Sequence, residues 1–515
     1  MQVVFRTDAS RAMGSGHVMR SLTLAQTLSD AGAEVAFVAR RHEGNANDLL
    51  RTWGFAVAEL TAPQAGRPPA AHPAYAAWVG ADWQDDARET RAAMRALGAR
   101  PDWLIVDHYG LDQRWEAQLR PEVARIFAVD DLADRRHDCD LLLDQNLVED
   151  LATRYVGKLP DRSATMLGPR YALLQPVYAD LHRQVAPRTG AVRRVCIYFG
   201  AADLYGLTQL ALRAFLNLGR QDIEADVVIN DDTTDAAELR ACAAGHANIR
   251  LHTRLPSLAH LLARADLAIG AAGATSWERL CLGVPALVIT LADNQRPVAA
   301  ALQSRGLICW LGHHDEVGLA ELQDALARHI ARGADTASSR AGRAVVDGAG
   351  VRRVRTALLV DSTTPLVVRE AAVGDEDLLL EWANDPLTRR NSFNRAIIGA
   401  EEHHQWLCHR LRPGQRGLLL VIETQDGVPL ATVRFDPIAT GWRLNYSVGA
   451  QYRGRGLGRP VLERAMAALA RSRPEASSLV ARVMAANQPS HRVFRRLGFE
   501  VVSDAAGAVE YRRSL

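Results

Sequence analysis

The sequence predicts an α/β chain of three domains, two built on open parallel sheets and a third of the α+β class. The length of 515 residues accommodates about three domains of 100–200 residues each. Short apolar strands alternate with amphipathic helices through the first two thirds of the chain, which favours parallel sheets. A β-hairpin pattern then follows a polar segment, at residues 418–435, and indicates an antiparallel sheet.

Composition excludes several classes of protein. The 61 basic and 59 acidic residues leave a net charge of +2, so we expect no nucleic-acid or acidic-membrane partner. The six cysteines are scattered without a CxxC pair, which is typical of reduced thiols in a cytoplasmic protein. The first apolar run is interrupted by Arg6 and Asp8 and indicates a strand rather than a signal peptide. We find no apolar run long enough for a membrane span.

The first domain, predicted for residues 1–185, begins with a strand at 3–5, a glycine-containing loop, a helix at 18–31 and a strand at 34–38. Further strands are predicted at 103–106, 126–129 and 140–143. Each of these three ends in polar residues, at 107–109, 130–131 and 144–146. Because ligands of open parallel sheets bind at the carboxyl ends of strands, we expect these polar residues to line a site.

The remaining domain boundaries follow from changes of pattern. Residues 157–190 look like a connection, and a second α/β domain is predicted for 186–355. Its strands are expected at 192–199, 225–229, 249–251, 267–269 and 285–289. A small, polar stretch predicts a linker at 356–364, and a third domain at 365–515.

The loop before the first helix reads GSGH. Gly14 and Gly16 permit backbone conformations that other residues avoid, and His17 falls at the helix start. The positive end of a helix dipole disfavours the protonated imidazole, so a neutral His17 can act as a base. The alternative for an isolated GSGH is a histidine that caps or packs at the helix end.

The second α/β domain carries a run of small residues, GAAGATSWE, at 270–278 between a strand and a helix. With the Asp293-Asn294-Gln295 element that follows, it resembles the glycosyltransferases of type B, which have two Rossmann-like domains. In that family the loop holds a diphosphate by backbone N–H groups, which implies phosphate contacts for Gly273, Thr275 and Ser276. Glu278 would bind ribose, because a carboxylate can accept two hydrogen bonds from a vicinal diol.

Three longer runs in the first domain are more specific: FRTDAS and GSGHVMRSLTLA at 5–25, VDHYGLDQRWE at 106–116, and VDDLADRRHDCDLLLDQN at 129–146. They resemble the UDP-sugar hydrolases of pseudaminic acid biosynthesis. The resemblance implies hydrolysis of UDP-2,4-diacetamido-2,4,6-trideoxy-β-L-altropyranose by water. His17 would be the base, and Tyr109 and Asn294 would complete the catalytic set, with Gly14, Gly16 and Gln295 among the substrate-binding residues. No DxD motif is placed to hold a metal at the phosphates, so we expect none; Asp130-Asp131 is interpreted as part of the strand-end network.

In the third domain, QYRGRGLG at 451–458 leads into a helix, and backbone N–H groups at such a turn suit a pyrophosphate. The turn alone is also typical of a tight strand-to-helix connection. Together with NQPS at 487–490 and the later LGF at 497–499, it resembles the GNAT acetyltransferases. This implies acetyl-CoA as co-substrate, contacted by Arg453, Gly454, Gly456, Gly458, Asn487 and Ser490.

Two further points concern the acetyltransferase chemistry. Many relatives carry a tyrosine that protonates the departing thiolate at the position where this chain has Phe494, so the general acid is unassigned. Tyr446 or an ordered water could replace it. The opening of the domain, with WANDP at 382–386 and HQW at 404–406, resembles the acetyltransferase of the same pathway, which acetylates the 4-amino group of the UDP-sugar precursor.

The sequence therefore predicts a bifunctional enzyme whose partners are small molecules, a UDP-sugar and acetyl-CoA. Three alternatives stay open. The first is a type B glycosyltransferase with a different acceptor, and the second is a GNAT domain acting on an unrelated amine. The third is a regulatory module that binds a nucleotide sugar, which would keep Glu278 without needing His17.

Overall fold

The computed structural model describes residues 1–63, 72–98, 100–200, 203–231, 236–505 and 507–515. It divides into two compact units, Met1–Arg355 and Thr356–Leu515. Within the described residues, no helix is both long and apolar enough to cross a membrane.

The first sheet of the N-terminal unit is parallel throughout, with the strand order β3-β2-β1-β4-β5-β6-β7. Its strands are β1 (Gln2–Thr7), β2 (Glu34–Arg40), β3 (Ala56–Leu60), β4 (Trp103–Asp107), β5 (Arg125–Val129), β6 (Leu141–Asp144) and β7 (Ala164–Leu167). The helices are α1 (Gly16–Asp30), α2 (Asn47–Thr52), α3 (Trp83–Ala96), α4 (Gln113–Leu119) and α5 (Pro176–Gln184). The central strands are apolar and buried along their length, as expected for a sheet covered on both faces.

The second sheet is also parallel, with the order β10-β9-β8-β11-β12-β13. Its strands are β8 (Arg194–Tyr198), β9 (Glu224–Val228), β10 (Ile249–His252), β11 (Leu267–Ala271), β12 (Ala286–Thr290) and β13 (Cys309–His313). The helices are α6 (Leu207–Asn217), α7 (Ala236–Ala243), α8 (Ala259–Arg264), α9 (Thr275–Cys281), α10 (Arg296–Ser304), α11 (Leu319–Arg332) and α12 (Thr336–Val345). Successive side chains of β11, Ala268 and Ile269, join separate apolar clusters on the two faces. Two open parallel sheets in one unit confirm the predicted type B class.

Two of the predicted connections contain regular structure. The stretch 157–190 contributes β7, the edge strand of the first sheet, and α5. The predicted linker at 356–364 stays a prediction: the two units divide at 355/356, and α13 (Gly350–Leu359) occupies the first four residues of the linker. Val351, Val354 and Leu358 of α13 are buried at helical spacing, so the helix has an apolar face that the small, polar composition concealed. The division between the two α/β domains at 185/186 stays a prediction.

The C-terminal unit contains a seven-stranded sheet of order β14-β15-β16-β17-β18-β20-β19. Its strands are β14 (Leu366–Glu370), β15 (Leu418–Thr424), β16 (Pro429–Ile438), β17 (Gly441–Val448), β18 (Ser478–Met484), β19 (Glu500–Ala505) and β20 (Ala508–Ser514). The helices are α14 (Glu376–Asn384), α15 (Pro386–Arg390), α16 (Ala400–Arg410), α17 (Gly458–Ser472) and α18 (Gln488–Arg496). The predicted hairpin, β15–β16, is confirmed as antiparallel.

One strand pair in this sheet differs from the others. β17 and β18 are parallel and pair only at Trp442–Leu479 and Arg443–Val480. β17 continues to Val448 and β18 to Met484, so the two strands diverge towards their carboxyl ends. The divergence opens the sheet beside the Gly-rich turn that precedes α17.

Candidate functional site

His17 lies in the first turn of α1 and is mostly buried. Its Nδ1 atom is 2.6 Å from Oδ1 of Asp107, the last residue of β4. A carboxylate at Nδ1 favours the tautomer that carries its proton there, which leaves Nε2 as the basic nitrogen. Nε2 has no hydrogen-bond partner within the described part of the chain. The pair therefore has the arrangement of an oriented imidazole base.

Asp107 is held in place by Arg20 as well. Arg20 donates from Nε to Oδ2 at 2.7 Å and from Nη2 to Oδ1 at 2.6 Å. Burial alone would raise the pKa of Asp107, but the charges of Arg20 and then His17 lower it well below its ordinary value. Asp107 is consequently ionised at neutral pH, and Arg20 is a site residue that the sequence reasoning missed.

Tyr109 stands beside this pair. Its hydroxyl donates to Oδ2 of Asp131 at 2.5 Å, and its ring meets the His17 ring edge-on at 4.4 Å between centroids. Burial, reinforced by the Asp131 charge, raises the pKa of Tyr109 well above its usual range. Because the hydroxyl is engaged by Asp131, contact of Tyr109 with a substrate would use the aromatic ring.

The polar strand ends converge, as the parallel topology requires. Asn146 donates to Asp131 Oδ1 at 3.0 Å, and Arg20 donates to Asp131 Oδ2 at 2.6 Å. Asp130 accepts from the N–H groups of Leu132 and Ala133 and is buried. These bonds join the ends of β4, β5 and β6 into one network, in agreement with the interpretation of Asp130-Asp131 as part of it.

Two aromatic residues extend the site beyond the predicted set. Trp78 lies in a 3-10 helix, Ala76–Val79, and its ring stacks against Tyr109 at 5.8 Å and 19°. Tyr75 contacts Trp78 at 4.6 Å between centroids. We call Tyr75, Trp78 and Tyr109 the aromatic wall. Their spacing in the sequence carries no motif, so no signal in the sequence identified Tyr75 or Trp78.

In the second α/β half, the small-residue loop leads from β11 into α9 as predicted, and Ser276 lies in the first turn of that helix. Ser276 is buried, its N–H donates to the Gly273 carbonyl at 2.9 Å, and its hydroxyl accepts from Arg279 at 3.0 Å. Its N–H is therefore engaged within the first turn of α9, and its contact with a phosphate stays a prediction. Thr275 and Gly273 remain partly exposed.

Glu278 lies one turn further along α9. Its pKa is raised to about 7, because burial outweighs the lowering effects of the Tyr178 hydroxyl and of Arg279. Oε2 of Glu278 is buried without a hydrogen bond of normal geometry to any described residue. A buried carboxylate oxygen with only the Tyr178 hydroxyl nearby can accept a further hydrogen bond, so this atom is suited to accept from a ligand hydroxyl.

The remaining predicted residues lie on two turns. Gly14 has a φ of +71°, and Gly16 is the first residue of α1. Asn294 and Gln295 form a 3-10 turn, Asp293–Gln295, after β12. Gln295 Nε2 is 4.0 Å from the point that a Cβ on Gly273 would occupy, so Gln295 borders the small-residue loop. Asn294 is partly exposed.

The Gly-rich turn of the C-terminal unit has the conformation that an anion-binding loop requires. Gly454 and Gly456 have φ values of +73° and +77°, and Gly458 begins α17. Within the described residues, the N–H groups of these three glycines make no hydrogen bond to the protein. A Cβ on Gly458 would lie 2.9 Å from Val493 of α18, so glycine lets the start of α17 pack closely against α18.

Arg453 makes several contacts within the protein. Its guanidinium pairs with Asp385 at 2.7 Å and donates to Thr388 at 2.9 Å and to the Val448 carbonyl at 3.0 Å. Its backbone N–H donates to the Ala450 carbonyl. Arg453 thus fixes the turn through protein contacts, and its direct contact with acetyl-CoA stays a prediction.

Asn487 and Ser490 stand at the start of α18. Asn487 is the N-cap and accepts from Ser490 N–H at 3.3 Å. The Ser490 hydroxyl is 3.0 Å from the hydroxyl of Tyr446, which projects from the diverging half of β17. Phe494 packs in the core, its ring stacked on Tyr511 at 5.5 Å. The structure therefore brings Tyr446, a residue with no motif, next to the cofactor loop.

Comparison with known proteins assigns the C-terminal unit. Residues 366–500 match the acetyltransferase (GNAT) domain family. The unit has the GNAT fold and supports an N-acetyltransferase with acetyl-CoA as co-substrate. The YncA acetyltransferase of Salmonella typhimurium, solved with acetyl-CoA, is similar over 30% of this chain and 95% of its own, at 21% identity and a TM-score of 0.26.

Other matches extend over the N-terminal unit. The UDP-2,4-diacetamido-2,4,6-trideoxy-beta-L-altropyranose hydrolase of Campylobacter jejuni is 25% identical over 59% of this chain and 97% of its own. An uncharacterized protein of Methanocaldococcus jannaschii is 20% identical over 80% of this chain and 78% of its own. MurG of Acinetobacter baumannii is similar in structure over 69% of this chain and 99% of its own, with 15% identity and a TM-score of 0.48.

Proposed function

We propose that this chain is a bifunctional nucleotide-sugar enzyme. Its N-terminal unit would hydrolyse UDP-2,4-diacetamido-2,4,6-trideoxy-β-L-altropyranose, and its GNAT domain would acetylate the 4-amino precursor of that substrate. The observation that carries the hydrolase proposal is the buried His17–Asp107 pair, in which Nε2 of His17 has no partner among the described residues. The relative from Campylobacter jejuni supports it, since nearly the whole of that hydrolase aligns with this chain.

Hydrolysis needs a base for water, because UDP is a good leaving group and the oxygen nucleophile must be activated. Nε2 of His17 takes a proton from a water molecule as its oxygen attacks the anomeric carbon. The bond between that carbon and the diphosphate oxygen breaks, and its electron pair leaves with UDP. Asp107 stabilises the imidazolium that forms, in the way a buried carboxylate orients histidine in hydrolases.

The nucleotide would bind on the second half of the unit. Glu278 Oε2, which is buried and lacks a well-aligned hydrogen bond from any described residue, accepts a hydroxyl of the ribose. The partly exposed Gly273–Thr275 segment at the start of α9 supplies N–H donors for the growing charge on the diphosphate. The 293–295 turn borders this loop and would carry Asn294 to the sugar side.

In the GNAT domain, the substrate amine attacks the thioester carbonyl and releases a proton to solvent, and the carbon–sulfur bond breaks with its electron pair on sulfur. The thiolate then needs a proton. Tyr446 is the candidate donor, because its hydroxyl is hydrogen-bonded to Ser490 beside the Gly-rich turn and Phe494 has none to give. Burial raises the pKa of Tyr446, with Ser490 opposing, so the phenol stays protonated until sulfur accepts the proton.

The order of reactions is acetylation first and hydrolysis second. Incubating the full chain with the 4-amino UDP-sugar and acetyl-CoA should yield CoA, UDP and the free diacetamido sugar in equal amounts, measured by mass spectrometry. Omitting acetyl-CoA should abolish UDP release. UDP release that depends on an added acceptor would identify a glycosyltransferase instead, and UDP release without acetylation would contradict the order.

A further inference from the structure

The aromatic wall lies beside His17, and the proposed chemistry leaves it unused. Trp78 and Tyr109 lie nearly parallel at 5.8 Å, and Tyr75 closes the group at 4.6 Å from Trp78 and 5.4 Å from Tyr109. Tyr75 and Trp78 are partly exposed, so ring surface is available to a ligand. The His17 ring stands edge-on to two of its members, 4.4 Å from Tyr109 and 6.3 Å from Trp78.

The wall is held in position by close backbone packing. A Cβ on Gly110 would lie 2.7 Å from the Tyr75 carbonyl and 2.7 Å from a methyl group of Val79. The segment that carries Tyr75 and Trp78 can therefore approach the end of β4 only because residue 110 is glycine. The same strand end carries Asp107 and Tyr109, so the packing around Gly110 positions both the carboxylate that orients His17 and the aromatic wall.

The wall also lies near the second half of the unit. Burial raises the pKa of Tyr75, and the charges of Asp134 and Asp293 add to this effect. Asp293 opens the 293–295 turn, whose residue Gln295 borders the small-residue loop. A ligand with its diphosphate at that loop and its anomeric carbon at His17 would thus have its sugar beside the wall.

We infer that the aromatic wall binds the apolar face of the sugar and selects substrates that carry methyl groups, such as acetamido and 6-deoxy sugars. Ring faces carry partial negative charge and attract weakly positive C–H groups, whereas a hydroxyl placed against them loses its stronger hydrogen bonds to water. A sugar with two acetamido groups and a 6-deoxy carbon presents three methyl groups. This inference rests on the proposed hydrolysis for the position of the sugar.

The kinetic test compares Trp78→Ala with Trp53→Ala, a control tryptophan of the same domain that is 49% exposed and outside the wall. For the diacetamido trideoxy substrate, Trp78→Ala should lower kcat/KM by about tenfold, mainly through KM, because one methyl group in an apolar pocket is worth roughly that factor. The loss should be smaller for UDP-N-acetylglucosamine, which has one methyl group. Trp78→Phe should recover most of the activity, and UDP affinity should stay within about twofold.

A binding test separates this inference from the hydrolase proposal. Saturation-transfer NMR on a His17→Asn protein measures which ligand protons lie close to the aromatic protons of the protein. Irradiating those aromatic protons should saturate the methyl protons of the ligand. Adding Trp78→Ala in the same background should abolish the methyl effect, while the saturation-transfer signals of the ligand's uracil persist. If methyl saturation depends on Trp78 but the wild type does not hydrolyse the substrate, the hydrolase proposal is overturned and the sugar-binding role of the aromatic wall stands. If the wild type hydrolyses the substrate but Trp78→Ala changes neither KM nor the methyl signals, the hydrolase proposal stands and the role of the aromatic wall is overturned. If the protein does not bind the UDP-sugar, both proposals are overturned.

Discussion

Replacing Asp107 with Asn exchanges one carboxylate oxygen for an amide nitrogen and removes one buried charge. In the wild type this carboxylate lies 2.6 Å from His17 Nδ1 and accepts from Arg20 at two atoms. In the Asp107→Asn variant, an amide that keeps its oxygen towards Arg20 turns its NH₂ group towards His17. Nδ1 would then have to accept, the proton would move to Nε2, and the base would be lost.

The size of the effect follows from the bond that is exchanged. A hydrogen bond to a charged group contributes roughly 1.5–3 kcal/mol, and each 1.4 kcal/mol is about a factor of ten. We therefore expect Asp107→Asn to lower kcat for UDP release about 10- to 100-fold. KM should change little, since Asp107 contacts the histidine rather than the nucleotide. Arg20 keeps its ion pair with Asp131 at 2.6 Å, which limits the loss of stability.

The assay is steady-state UDP release by the full chain, repeated in a His17→Asn background. There the second substitution should have no further effect on kcat, because the base that Asp107 orients is already missing. Circular dichroism and the Tm of each variant control for folding. An unchanged kcat for Asp107→Asn, or an equal loss in both backgrounds, would refute the orienting role of Asp107.

Three further predictions follow from the sites. Burial raises the pKa of Glu278 to about 7 in the folded protein, so the wild type loses stability as pH rises from about 4.5 to 7 and the carboxyl ionises. The Tm of Glu278→Gln minus the Tm of the wild type should therefore increase over this range. A difference that stays constant with pH would contradict the raised pKa of Glu278. Tyr446→Phe should lower kcat for acetyl transfer, measured by detection of the CoA thiol, by about 100-fold. KM for acetyl-CoA and the rate of UDP release should stay unchanged. A wild-type rate of acetyl transfer would exclude Tyr446 as the proton donor. Treatment with EDTA should leave UDP release intact, and a large loss that Mg²⁺ restores would disprove a metal-independent hydrolysis.

The sequence by itself determined the features that depend on local pattern. Periodicity predicted the parallel strands and the β15–β16 hairpin, since side-chain burial repeats with the backbone period of each element. The same local logic located the Gly-rich turn before α17 and the histidine at the start of α1. Composition was a weaker guide: it suggested a linker where α13 has a buried apolar face, because small residues conceal helical spacing.

Tertiary structure decided which residues meet. Asp107 is 90 positions from His17 and contacts it because the strand order sets β4 next to β1, an order that no local pattern specifies. The approach of Trp78 to Tyr109 likewise depends on packing between separate loops. Ser276 was predicted to contact the diphosphate, and only the folded chain shows that its N–H donates to the Gly273 carbonyl. Hydrogen bonds and ring contacts of this kind depend on distances in space, which the folded chain alone establishes.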